Sequence, residues 1–399
     1  MRFNETSKLA LMNFLLHLAF LSPVITFFFR EKGLNYFQIL SLESILMLFI
    51  LFFELPTGII GDIIGRKWAI LIGGVFIALE PVIFLFSSNF LLFALSFGLA
   101  GIGISFLSGT VEAHIYDTLK KKRAENAMKK AMGTYGAAAL LAMIIAPAIG
   151  SYLAKELIMP QFNILIILTI FANALGVIII LFLKEKKNKQ SNKHSHKMLL
   201  KSSFNTIRNN NNLKRIILLS IFSSPFMFTL NYLYQPYFKT SGVNISLFGI
   251  IFGVSLLLAA VIQKYAYKLE EKIGMKKSIF IATIAPGILY VIMAISISPF
   301  GAILLFILLR GLMGLSEPLF ADYKNAHIPS NCRATVLSMI SMFASVYLLI
   351  MRLIIGKLAD INLSYAFILI GTIIVLSSFV FRLNESHITI KKINIKKSS

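Results

Sequence analysis

Twelve apolar runs dominate this sequence, each close to the ~20 residues that a helix needs to cross a hydrocarbon core. They cover residues 10–29, 37–60, 68–86, 90–113, 131–152, 162–183, 213–238, 247–265, 279–297, 300–320, 334–358 and 363–381. Lipid offers no partner for a peptide N–H or C=O, so each run must pair its backbone internally, which means a helix. Only 14% of the residues are charged and 57% are hydrophobic, too little charge to cover a water-soluble surface. The expected fold class is an all-α polytopic membrane protein with 12 transmembrane helices. The first run is too long for a signal-peptide core and has no small-residue cleavage site, so it reads as a retained span. The single cysteine, Cys332, excludes an internal disulfide and any multi-cysteine metal site.

The formal charge of +22 does not point to nucleic acid, because its distribution is one-sided. When the loops are assigned alternately to two sides, Arg30, Lys32, Lys155, Lys239 and Lys357 share one side, and Arg310 and Arg352 fall inside spans. All the other lysines and arginines, of 39 in total, fall on the other side with both termini. Such asymmetry marks the cation-rich side as cytoplasmic. The expected location is a cytoplasmic membrane, with lipid bilayer and a small-molecule substrate as partners, no nucleic acid, and a monomeric chain.

A polar stretch rich in Lys, Asn, Ser and His, including four successive asparagines at 209–212, divides the spans six and six. The halves repeat. Gly33 and Asn35 recur as Gly242 and Asn244; Asp62, Gly65 and Lys67 recur as Glu271, Gly274 and Lys276; Glu54 maps to Gln263. A second block, Gly109, Glu112 and Asp117, recurs as Gly314, Glu317 and Asp322. Two blocks in order at nearly equal spacing indicate duplication. The expected organisation is a six-helix bundle at 1–183, a linker at 184–212, a second six-helix bundle at 213–383 and a basic tail at 384–399. Duplicated six-helix halves suit a rocker-type transporter with its site between them near the midplane.

The stretch "GIIGDIIGRK" at 58–67 resembles the loop signature between spans two and three of the major facilitator superfamily, although Ile63 stands where a cation often follows the aspartate. Gly58 and Gly61 are small residues that suit close helix approach, and Gly65 suits a tight reversal. The resemblance implies a gate: Asp62 facing the partially positive N-terminus of span eleven, and Arg66, next to Lys67, paired with Asp117 at the inner end of span four. These contacts would close the cytoplasmic side in the outward-facing state. In span five, "AMIIAPAIGS" at 142–151 resembles the proline-glycine signature of proton-coupled exporters through Pro147 and Gly150.

Ionisable groups inside a membrane are functional candidates by default. Glu54 and Glu112 read as buried carboxylates able to exchange protons. The resemblance implies a cavity lined by spans one, four, seven and ten. In span ten, Arg310 and Glu317 stand two turns apart on one face; Arg310 suits a substrate anion or a neighbouring carboxylate. Arg352 lies within span eleven. His17 and Asn13 in span one, and Asn231, Tyr234 and Gln235 in span seven, complete the candidate lining. Glu43 and Glu80 read as solvated near the outer surface. The six histidines are scattered, with His194 and His196 in the linker, which disfavours an enzyme. The expected activity is proton-coupled export of a drug-like or antibiotic molecule by alternating access, with no cofactor beyond the proton gradient. The alternative is an importer of a sugar, amino acid or organic anion. Asp62→Asn is expected to insert normally yet transport at a sharply reduced rate. Wild-type flux of labelled substrate in that variant would remove Asp62 from the gate.

Overall fold

A computed structural model of the chain describes residues 4–121, 123–184, 207, 210–224, 226–296, 298–329 and 332–383. The regular elements among them are all helical. The first half contains α1 (Glu5–Leu16), α2 (Ile25–Glu31), α3 (Tyr36–Ile64), α4 (Arg66–Phe86), α5 (Phe90–Leu107), α6 (Thr110–Lys121), α7 (Met128–Leu153) and α8 (Met159–Leu181). The second contains α9 (Asn211–Ser223), α10 (Phe226–Thr240), α11 (Phe248–Lys264), α12 (Ala266–Ile273), α13 (Met275–Ile295), α14 (Pro299–His327), α15 (Arg333–Ile361) and α16 (Leu363–Val380). Most of the expected linker and all of the basic tail lie outside the described residues, as do His194 and His196.

Among the described residues, eleven helical stretches are long and apolar enough to cross a membrane. The first expected span is instead broken, a correction to the continuous helix read from hydropathy. α1 ends at Leu16, a single 3₁₀ turn covers Ser22–Val24, and α2 follows. Pro23 lacks an N–H and cannot continue a helix through its preceding turn. The freed backbone groups find partners on other spans. Phe20 N–H donates to Thr169 Oγ1 at 3.2 Å, and Ser22 C=O accepts from Gln235 Nε2 at 3.0 Å. Span four is also interrupted, at Ser108 and Gly109 between α5 and α6.

The repeat reappears as backbone conformation. Gly33 and Gly242 have φ of 85° and 79°, and Gly65 and Gly274 have φ of 100° and 79°, a region that strains any residue with a Cβ. Asn35 caps α3 through Gln38 N–H, and its counterpart Asn244 caps the turn before α11 through Ser246 N–H. Gly58 departs from expectation, since a Cβ there would meet nothing within 4 Å. Gly61 is the close-packed residue, 3.3 Å from Ala69 Cβ by the same construction.

At the end carrying the cation-rich loops, Glu5 ties the start of the chain to the end of the first half. Its Oε2 accepts from Lys184 N–H at 3.1 Å and its Oε1 lies 2.9 Å from Lys8 Nζ. Burial alone would raise the Glu5 carboxyl, but bonds from Lys8 and Lys184 and the charges of Lys8 and His114 hold it below the usual range.

The halves meet along two antiparallel pairs, α3 with α15 and α7 with α11. Backbones nearly touch at both. A Cβ on Gly249 would fall 1.8 Å from Pro147 O, and one on Gly356 would fall 2.7 Å from Phe37 Cα. Pro147 therefore stands on this seam, while Gly150 packs within its own half against Phe20 O of the broken first span. Alanine in a helix interior gains up to ~1 kcal/mol over glycine from propensity, while overpacking against backbone costs about 1–3 kcal/mol. Gly249→Ala is expected to lower the melting midpoint in detergent and Gly58→Ala to leave it unchanged or raise it. Equal midpoints would show that the seam is not close-packed.

Candidate functional site

A cavity of about 300 Å³ lies between the halves, lined by the broken first span, α3, α7, α10 and α11. Its walls include His17, Glu43, Pro147, Asn231, Tyr234 and Phe252. Among the described residues, spans four and ten, expected as lining, contribute no wall residue; Arg310 of α14 meets the wall residues Asn231 and Phe252 from behind. Bonds that join the halves lie toward the end opposite the cation-rich loops. Thr26 N–H donates to Gln235 Oε1 at 2.9 Å, and the Thr26 hydroxyl to Tyr232 O at 2.8 Å. Ser44 and Ser151 hydroxyls donate to Leu349 O and Ser246 O.

The strongest of these joints involves Glu43. Its Oε2 lies 3.2 Å from Arg352 Nη2, its Oε1 accepts from the Tyr232 hydroxyl at 2.6 Å, and its carbonyl accepts from Arg352 Nη1 at 3.0 Å. Arg352 is only 1% exposed. Glu80 on α4 is half-buried and within electrostatic reach of Glu43. This corrects the reading of Glu43 and Glu80 as solvated: both are half-buried, and Arg352 of α15 and Tyr232 of α10 take the Glu43 carboxylate oxygens. A buried pair of this kind costs about 3–5 kcal/mol to break from one side.

Further out, Asp360 near the end of α15 caps the N-terminus of α3, accepting from Tyr36 N–H at 2.6 Å and Phe37 N–H at 3.0 Å. A carboxylate there satisfies two orphan donors and opposes the helix dipole. The α3–α15 contact sets Tyr36 by Asp360, Glu43 by Arg352 and Ser44 by Leu349. The same antiparallel register, continued toward the basic end, carries Asp62 to the start of α15 at Arg333. In this conformation Asp62 is exposed. Nearby, Arg66 Nε lies 3.0 Å from Asp117 Oδ2. Lys67 Nζ donates to Leu181 O at 2.7 Å, holding the last turn of α8.

The carboxylates expected to be buried are not. Glu54, Glu112 and Glu317 are all exposed, because the bonds between the halves cluster at the other end. Arg310 and Glu317 share a helix but not an environment. Arg310 is 4% exposed, donates to Asn231 Oδ1 at 2.7 Å, and lies 4.7 Å from the Phe252 ring centroid. A guanidinium so covered is spent on the protein. It orients Asn231 and is not open to a substrate anion. Gln235 is fully buried, with both amide atoms given to the first span, so it is a joint between halves and not cavity lining. Asn13 is likewise spent, on Tyr135 O at 2.9 Å. His17, Asn231 and Tyr234 do line the cavity. Glu43, Tyr232 and Asp360 were missed as contacts. The signal available for Glu43 was an acid inside an apolar run; none marked Asp360.

Two helical halves, joined at one end around a central cavity, define a membrane transporter. The chain belongs to the Major Facilitator Superfamily, whose model matches residues 9–350. An uncharacterised MFS-type transporter of Bacillus subtilis (strain 168), YxaM, is 22% identical over 388 residues, covering 94% of this chain and 95% of that one. The nucleoside transporter NupG shares the fold with a TM-score of 0.78 at 17% identity, covering 95% of this chain and 98% of that chain. A bacterial homologue of the human lysosomal transporter Spinster, in an inward-facing and unoccupied conformation, gives a TM-score of 0.69 at 14% identity, covering 94% of each chain.

Losing a helix cap costs about 0.5–2 kcal/mol. Asp360→Ala, which removes both acceptor oxygens, is therefore expected to open the closed end several-fold more often. In a Cys332→Ser background carrying Ser44→Cys, an impermeant thiol reagent applied at that end should label correspondingly faster. An unchanged labelling rate would show that the Asp360 cap contributes nothing to closure.

Proposed function

We propose that this chain is a secondary active transporter that works by alternating access, rocking its halves, 1–183 and 213–383, about the central cavity. The observation that carries this reading is the reciprocal geometry of α3 and α15. Asp360 caps α3 at the closed end, and Asp62 waits in register with the start of α15 at the other. The two aspartates cannot both be engaged while a cavity stays open between the helices, so exchanging one cap for the other exchanges one open side for the other. Arg66, Lys67 and Asp117 would hold the Asp62 loop against its own half during that exchange, and Gly65 would give it its turn.

The one-sided cations support a cytoplasmic membrane with both termini in the cytoplasm, and hence an inward-open arrangement here. Both walls of the cavity come from one chain, which suits a monomer. Proton coupling would run through Glu43. Among the described residues it is the one carboxylate on the cavity wall, and its ion pair with Arg352 joins the halves. Protonation would remove the charge that holds Arg352 and loosen the closed end. Glu54, Glu112 and Glu317 would serve as exposed acids on the inner approach. Export of a drug-like molecule in exchange for protons is the preferred direction. Its support is the resemblance of residues 142–151 to the exporter signature and the position of Pro147 on the seam. Import is the second reading, favoured by the fold shared with NupG, a nucleoside transporter.

Glutamine keeps one acceptor oxygen for Arg352 and can donate from its amide to the Tyr232 hydroxyl oxygen, but carries no exchangeable charge. In everted vesicles with a pH-sensitive dye, Glu43→Gln is expected to abolish substrate-evoked proton movement, while gradient-free exchange of labelled substrate persists. Proton movement of wild-type size in that variant would sink the coupling assignment.

A further inference from the structure

The polar atoms that the protein leaves open in the cavity specify a solute. Asn231 Oδ1 accepts from Arg310 Nη1 at 2.7 Å. A guanidinium only donates, so the amide orientation is fixed and Nδ2 turns its two hydrogens away from Arg310, on a residue of the cavity wall. The neighbouring ring follows the same logic. His17 Nδ1 stands 2.8 Å from Asn13 O. A carbonyl only accepts, so Nδ1 carries the proton and the neutral ring offers Nε2 as an acceptor. The cavity thus presents one oriented donor and one oriented acceptor. The Ser22 and Tyr234 hydroxyls also stand at its wall, but a hydroxyl rotates and sets no polarity.

The charges are already committed. Glu43 gives one oxygen to Arg352 and the other to Tyr232. Arg310 is covered by Asn231 and the Phe252 ring. Among the described residues no free carboxylate awaits an organic cation on the wall, and the Arg310 guanidinium is shielded from an organic anion. The rest of the wall is largely aromatic, with Phe228, Tyr232, Tyr234 and Phe252, faces on which a flat ring stacks. The volume, about 300 Å³, is at the small end for a ligand site.

We infer that the cavity selects an uncharged, planar heteroaromatic solute of one or two rings, bearing an acceptor for Asn231 Nδ2 and a donor for His17 Nε2. This rests on the alternating-access reading only in taking the cavity as the substrate site. Arg310 is then a positioning residue that sets the polarity of Asn231 without touching the solute.

Equilibrium binding tests this without requiring turnover. The full-length protein in detergent would be dialysed against labelled nicotinamide and labelled uridine as uncharged probes, tetraphenylphosphonium as a cation and benzoate as an anion. At least one uncharged probe is expected to bind saturably, with at least tenfold preference over both ions. Asn231→Asp keeps a partner for Arg310 but replaces the donor with an acceptor, and should weaken that binding at least tenfold. His17→Phe keeps the ring but loses the acceptor and should do the same. Preferential binding of either ion, or no binding of any probe at millimolar concentration, would overturn the assignment, as would wild-type affinity in both variants. The wild-type selectivity stands as a test even if a variant fails to fold. Tight binding of an uncharged probe that the protein never carries across a liposome membrane would instead count against the transport reading and leave the solute class intact.

Discussion

A charge or an unpaired peptide group in hydrocarbon costs several kcal/mol, and in this chain much of that demand is met across the seam between two halves. Arg352 finds its carboxylate on α3 and Gln235 finds backbone on the broken first span. The N-terminus of α3 finds Asp360 on α15. Arg352 and the first two N–H groups of α3 are satisfied across the seam, and Gln235 divides its amide between the first span and Asn231 O of its own helix. The closed end is therefore held by polar bonds that are strong while water is excluded and weak once it enters. Such a joint is stable yet breakable, as a moving gate requires.

The same economy shapes the cavity. Each buried ion near it is assigned to a protein partner: Glu43 to Arg352, Arg310 to Asn231 and an aromatic face. What remains open is neutral and directional. The break in the first span makes this possible, because a continuous helix through residues 17–21 would bring neither Ser22 C=O to Gln235 nor Phe20 N–H to Thr169. Irregular backbone is tolerated at this depth since it borders the cavity and borrows partners from neighbouring spans.

Much of the architecture was legible from the residues. Apolar run length, the paired positive-φ glycines and the capping asparagines are local signals, and each half carries its own copy. The roles of the acids were not legible. Glu43 and Glu54 are eleven residues apart on one helix, both within an apolar run, and the natural reading made the deeper-looking Glu54 the buried one. The structure reverses this: Glu43 lies where α3 meets α15, and Glu54 lies where the halves have separated. Arg310 misled for a related reason, since an arginine within a span suggests an anion until the asparagine and phenylalanine covering it are seen.

The sequence by itself determined that the chain is a duplicated bundle of membrane helices with a glycine-rich turn and an oriented charge asymmetry. Those features follow from backbone satisfaction in lipid and from local conformational preference, which need no knowledge of neighbours. The tertiary structure alone decided which end is closed, which carboxylate is paired across the seam and which polar residues line the cavity. These depend on groups up to 324 residues apart in the chain, as the Tyr36 N–H and the Asp360 carboxylate are, and on how the two halves are tilted, which no local pattern encodes.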